Sequence, residues 1–147
     1  MRAVNATTPR KELDGLLDTA MRQALRQVQV QGKHESFALG ISADGEEISI
    51  GDDVPTLLDP DTRHARIRAR VDEAIAAGQV RAIALVRNIS LTYTPTGKQA
   101  DAVEVVLDHR DDTAIRCYMP YQFKQGKFNT AQLVATAAPE RLFPAAG

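Results

Sequence analysis

The chain has no tryptophan, one cysteine, three tyrosines and four phenylalanines in 147 residues. Each shortage excludes something. Cys117 alone cannot make an intramolecular disulfide or a multi-cysteine metal site. A single thiol suits a reducing compartment, so we expect a cytoplasmic protein. Charge of one sign is lacking too: 18 Lys and Arg face 19 Asp and Glu, a formal net charge of −1. A global electrostatic pull toward nucleic acid or an anionic membrane is therefore absent. Nowhere do about 18 apolar residues follow one another, which argues against a transmembrane helix. Met1 to Thr8 lacks the apolar run of about seven residues that a signal peptide needs, so none is expected. Phosphate loops, dinucleotide fingerprints, nucleophile elbows and zinc-protease motifs are missing as well.

What is present is an ordinary globular balance, 44% hydrophobic and 25% charged, enough for one core without staples. We expect a single domain over residues 1–147, with a flexible N-terminus at 1–8 and a C-terminal arm at 125–147. The hydrophobic period changes along the chain in the order helical, alternating, helical, alternating. That order reads α-β-β-α-β-β-β. It predicts an α+β fold: a single antiparallel sheet of about five strands carrying two main helices.

The first helix has Thr8 as N-cap and Pro9 at its first position, where a missing N–H costs nothing. Leu13, Leu16, Leu17, Ala20, Met21, Ala24, Leu25 and Val28 then recur at helical spacing, and Gly32 ends the run. A hairpin follows. Phe37, Leu39 and Ile41 alternate with small residues, and Asp44-Gly45 suits a two-residue turn. Such a loop pairs Ala43 with Glu46, Ile41 with Ile48 and Leu39 with Ile50. The second helix starts from Asp59 and Pro60, presents Ile67, Val71, Ala74 and Ile75, and stops near Gly78.

A long third strand is expected from Val80 to Tyr93. Its odd positions Ile83, Leu85, Ile89, Leu91 and Tyr93 are large, and its even positions Ala82, Ala84, Asn88, Ser90 and Thr92 are small or polar. Pro95-Thr96-Gly97-Lys98 reads as a turn or mobile loop. The fourth strand puts Val103, Val105, Leu107 and His109 on one face, with Glu104 and Asp108 on an outer face. The fifth strand aligns Ile115, Cys117 and Met119. Only an odd-numbered loop matches the two apolar faces, pairing His109 with Thr113 and Leu107 with Ile115. Arg116 then lies diagonal to Glu104 and Asp108, within reach for ion pairs. Gln125-Gly126-Lys127 is a turn. Thr130 to Ala138 reads as a short helix or an extended arm, and Leu142 and Phe143 suggest an arm that docks back.

This element order, with the Ala43-Asp44-Gly45-Glu46 and His109-Arg110-Asp111 turns, resembles the roadblock and profilin-like class of sheet-and-helix modules. It is also similar to small uncharacterised bacterial proteins with the same arrangement. The resemblance covers most of the chain and implies a dimeric regulatory or scaffolding protein rather than an enzyme, by analogy of fold.

The residues themselves offer few chemical constellations. Cys117 and His109 share the apolar face, but the expected register holds them roughly 13 Å apart, too far for a hydrogen bond. Cys117 therefore reads as a small core residue. His34, His64 and His109 show no ligand spacing, so no metal and no cofactor are implied. Asp52-Asp53, Asp59-Asp61 and Asp111-Asp112 sit at turns or a helix start, where Asp caps backbone groups. Arg63, Arg66 and Arg70 make one stripe on the second helix, either a solvated face or one that suits phosphate or an acidic partner. Arg116, Tyr118 and Tyr121 suit a protein interface, where tyrosine is favoured. Pro120 lacks a ladder donor and argues for an edge or a strand end. Phe123 and Phe128 extend the aromatic cluster. With no aromatic platform beside the arginines, nucleic acid is disfavoured. The leading expectation is a non-enzymatic protein-binding or regulatory module that pairs with a protein partner or with itself. An inhibitor or immunity protein covering a toxin's active site is the alternative. A small cysteine-dependent enzyme using Cys117 and His109 is the lesser one.

Overall fold

The computed structural model describes residues 8–32, 34–56, 59–93, 95–112, 114–124, 127–138 and 140–144. Of the expected flexible terminus only Thr8 lies among them. The Gln125-Gly126 turn, Thr113 and the Phe123 and Phe128 side chains lie outside them.

Helix α1 spans Pro9–Gln31 and helix α2 spans Pro60–Ala76. Both begin as their caps predict. The Thr8 side chain accepts from the Lys11 N–H at 3.2 Å, and Asp59 accepts from the N–H groups of Asp61 and Thr62. These bonds satisfy donors that the first helical turn leaves open. Gly32 closes α1 at φ +80, its N–H donating to the Val28 carbonyl at 2.7 Å.

The strands are β1 (Phe37–Ser42), β2 (Glu47–Ile50), β3 (Val80–Tyr93), β4 (Lys98–His109), β5 (Ile115–Lys124), β6 (Lys127–Thr130) and β7 (Val134–Ala137). They form one antiparallel sheet in the order β2-β1-β3-β4-β5-β6, with β7 also paired to β5. The α+β architecture is the one the hydrophobic periods predict. The sheet has seven strands among the described residues where about five are expected, because the C-terminal arm adds two.

The helices lie on opposite faces. Helix α1 covers Phe37, Leu39, Ile41, Ala82, Ala84, Val86, Val103, Val105, Leu107, Cys117 and Tyr121. Helix α2, with Leu142 and Phe143 of the arm, covers Ala38, Ile50, Ile83 and Leu85. The strand pairs alternate in size across the α1 face, with Leu39 opposite Ala84 and Ile41 opposite Ala82. Each large side chain fully buried this way stabilises by about 1.5–3 kcal/mol. Burial of both faces explains why β1 is buried at nearly every position.

Three expectations need correction. The first hairpin is shifted by one residue: Ile41 pairs with Glu47, Gly40 with Ile48 and Ala38 with Ile50. The loop has three residues, Ala43 to Gly45, with Gly45 at φ +95 donating to the Ser42 carbonyl at 3.0 Å. The extra residue turns Ile48 and Ile50 toward α2, away from Leu39 and Ile41. Second, the face of β4 taken as outer is covered, so Glu104 is 4% and Asp108 0% exposed. Third, β5 does not end at Pro120. Strands β6 and β7 run in succession along one edge of β5, and Pro120 sits at the break between them, its carbonyl accepting from Ala131 at 2.9 Å. The missing N–H therefore falls where the edge ladder is already interrupted. The Leu107–Ile115 register and the docking of Leu142 and Phe143 are as expected.

Candidate functional site

Two acids, Asp108 fully buried and Glu12 half-buried, show how the fold handles charge. Asp108 accepts from the Leu142 and Phe143 N–H groups at 2.6 and 3.0 Å and pairs with Arg141, which ties the arm down. Glu12 of α1 pairs with Arg81 and with His109 Nε2, the latter at 2.8 Å. His109 Nδ1 accepts from the Asp111 N–H at 3.1 Å, so Nε2 carries the proton given to Glu12. Both sets hold elements together.

The polar cleft lies beneath the first turns of α2. Arg63, 12% exposed at its side chain, donates to the carbonyls of Ser36, Val54 and Pro55 at 2.9–3.0 Å. It binds the β2–α2 connection to the start of β1. His64, one residue on, meets the Ser36 hydroxyl through Nδ1 at 3.2 Å. Burial, then the nearby Arg87 charge, holds the His64 ring below its ordinary pKa. His34 is also held low by burial, and its Nε2 is buried without a hydrogen-bond partner among the described residues. A cavity of about 200 Å³ lies between His34, Ser36, His64, Arg87 and Asn88.

A larger cleft of about 580 Å³ continues past His64 and Arg87, which line both spaces. Its floor holds Glu104. One Glu104 oxygen accepts from Arg87 Nε at 2.8 Å and the other from Arg116 Nε at 2.7 Å. Burial pushes the Glu104 carboxyl up, but the two guanidiniums outweigh it and leave it below the usual range. Arg68 of α2, paired with Asp72, lines the same cleft.

The expected site residues are dispersed by the fold. Arg63 is anchored inside, Arg66 is exposed, and Arg70 meets Asp53 at 2.9 Å and Glu73 at 3.4 Å. They do not act as one free stripe, because the loop before α2 folds back onto it. Arg116 reaches Glu104, the diagonal contact the register implies, and its guanidinium lies 5.1 Å from the Tyr118 ring. Tyr121 departs from the expected interface. It is 4% exposed in the α1 core, its hydroxyl donates to Asn88, and burial pushes its pKa up to about 12. Cys117 is buried, its thiol pushed up by burial, and it pairs across the sheet with Val105, not His109.

Sequence reasoning did not bring together Ser36, His64 and Arg87. Alternation alone would place Arg87 opposite Glu104 once the β3–β4 register is known. Among the described residues, no three His, Cys, Asp or Glu side chains converge as a metal site, and no helix is long and apolar enough to cross a membrane.

A second surface lies where the sheet outruns α2. Leu91, Ala100, Tyr118, Pro120 and Gln122 line an open groove of about 650 Å³ there. Among the described residues, helix α2 packs mainly on β1, β2 and β3, and Leu142 and Phe143 of the arm share its cluster, with Val106 of β4 packed against it. Compared with protein-family models, curated proteins and solved structures, the chain matches none.

Proposed function

We propose that the protein is a non-enzymatic binding module of the cytoplasm that works as a homodimer, two copies meeting across the open end of the sheet. The observation that carries this reading is the uncovered groove along Leu91, Ala100, Tyr118 and Pro120. Strand side chains that alternate into a core on one face need cover on the other when both are apolar. Here α2 supplies that cover for the first half of β3 only. Tyrosine beside arginine suits such a contact, since both are enriched where interfaces are tightest. The Arg116–Tyr118 stacking presents the pair already ordered.

Amide NMR on a dilution series tests the reading. Concentration-dependent shifts confined to residues 91–92, 98–100 and 118–122 are expected, and they should vanish in Leu91→Asp. Spectra that do not change with concentration would count against self-association. Changes centred on α1 would move the contact elsewhere.

A further inference from the structure

The cleft beside α2 carries an inference separate from the dimer reading. Burying one carboxylate is costly unless its partners are well placed, and Glu104 has both oxygens taken by arginine Nε atoms. This leaves a charge surplus. Two guanidiniums answer one carboxylate, so the cluster is cationic by one unit, while Arg68 beside it is answered by Asp72. It also leaves donors in excess. Each guanidinium has five N–H groups in a rigid fork, and only the Nε edge of Arg87 and Arg116 is hydrogen-bonded among the described residues. Their side chains are 46% and 30% exposed, so the remaining N–H groups are reachable from the cleft. Glu104 thereby acts as a positioning residue that holds two forks side by side.

The rest of the cleft describes the other half of a ligand. Leu85, Val106 and Leu142 line it together with the arginines. Its volume of about 580 Å³ lies within the ~300–1,000 Å³ range of small-molecule sites. The acidic residues on its wall do not oppose an anion at the floor. Glu104 is fully engaged, and Glu140 is exposed on the arm.

We propose that this cleft binds a small organic oxyanion, a carboxylate or phosphate borne on an apolar body. The oxyanion head takes the unused N–H groups of Arg87 and Arg116, and the body lies over Leu85, Val106 and Leu142. Shared chemistry covers both heads, since arginine forks match carboxylate and phosphate alike.

Titration of the whole chain with four probes, followed by amide NMR, tests this. The probes are phenyl phosphate, benzoate, inorganic phosphate and benzyl alcohol. Saturable shifts at His64, Arg68, Arg87, Val106 and Arg116 are expected for phenyl phosphate or benzoate, with a dissociation constant of about 1 mM or tighter. Inorganic phosphate, lacking the body, should bind at least about tenfold more weakly, and benzyl alcohol should not saturate. The tighter of the two organic anions identifies the head. The double variant Arg87→Lys/Arg116→Lys keeps Glu104 neutralised but removes both forks, and should bind at least about tenfold more weakly than the parent. Thr136→Glu, on the cleft wall and directly across the β5–β7 pair from Arg116, sets a carboxylate beside that fork; it should weaken binding comparably and tests the site should the double variant not fold. No saturable binding of either organic anion would overturn the proposal. So would benzyl alcohol binding equally well, or unchanged binding in the folded lysine variant.

Discussion

Glu104 keeps its negative charge inside the protein because Arg87 and Arg116 each answer one oxygen. Its stabilisation is present above the unfolded carboxyl value of 4.5 and is lost as the pH falls through the lower folded one. The histidines act at higher pH. His34 and His64 both sit below 6.5 in the fold, mainly because burial disfavours imidazolium. The unfolded chain takes up protons that these sites refuse, so stability falls as the pH drops through about 6.5 and levels off below the folded values. We expect the urea midpoint to fall between about pH 7.5 and pH 5.5, and to fall less in His34→Gln/His64→Gln. An unchanged midpoint, or an equal fall in the double variant, would contradict this. Single residues were partly legible in the sequence. The odd β4–β5 loop places Arg116 beside Glu104, and alternation places Cys117 in the core. Arg87 was not legible as a partner of Glu104, because Pro95-Thr96-Gly97-Lys98 leaves the β3–β4 register open. Ser36 and His64 meet only because α2 folds back over the start of β1.

Elements were read best where a cap and a period agree. Thr8, Pro9 and Gly32 bound α1, and Asp59 and Pro60 start α2, from local chemistry alone. The first hairpin failed because Asp44-Gly45 suits either loop length, and the apolar match of Leu39 and Ile41 with Ile48 and Ile50 assumed one buried face. With two, Ile48 and Ile50 belong to the α2 side. The strands β6 and β7 are short and rich in Ala, Thr and polar residues, so neither period stands out. Gly51 precedes α2 at φ +83, and a Cβ there would lie 2.8 Å from Ile67 Cδ1. Gly51→Ala should cost roughly 1–2 kcal/mol from the backbone alone, read by chemical denaturation. A neutral substitution would show that the turn can relax. Asp108→Ala removes the acceptor of two N–H groups in the arm and should cost about 1–3 kcal/mol. The arm should then loosen, so trypsin should cut at Arg141 faster than in the parent. Equal cutting rates would show that Leu142 and Phe143 hold the arm unaided.

At the scale of the molecule, the protein is a sheet between two unequal covers. Among the described residues, helix α1 spans β1, β3 and β4, whereas the thinner α2 and the arm share the other face and leave its far end open. The period changes make the α+β class legible, but which helix takes which face is not. That choice depends on the small residues Ala82 and Ala84 seating α1 and on Ala38 and Gly40 admitting β2's isoleucines. The uncovered end and the arginine cleft adjoin through Arg116 and Tyr118, so a bound anion and a docked copy would touch the same pair. The proposed function rests on the homodimer. Static light scattering of the intact chain over a dilution series tests it most directly. The account predicts a mass near twice that of the chain, falling toward one chain on dilution, and one chain throughout for Leu91→Asp. A parent protein that scatters as one chain at every concentration would contradict it.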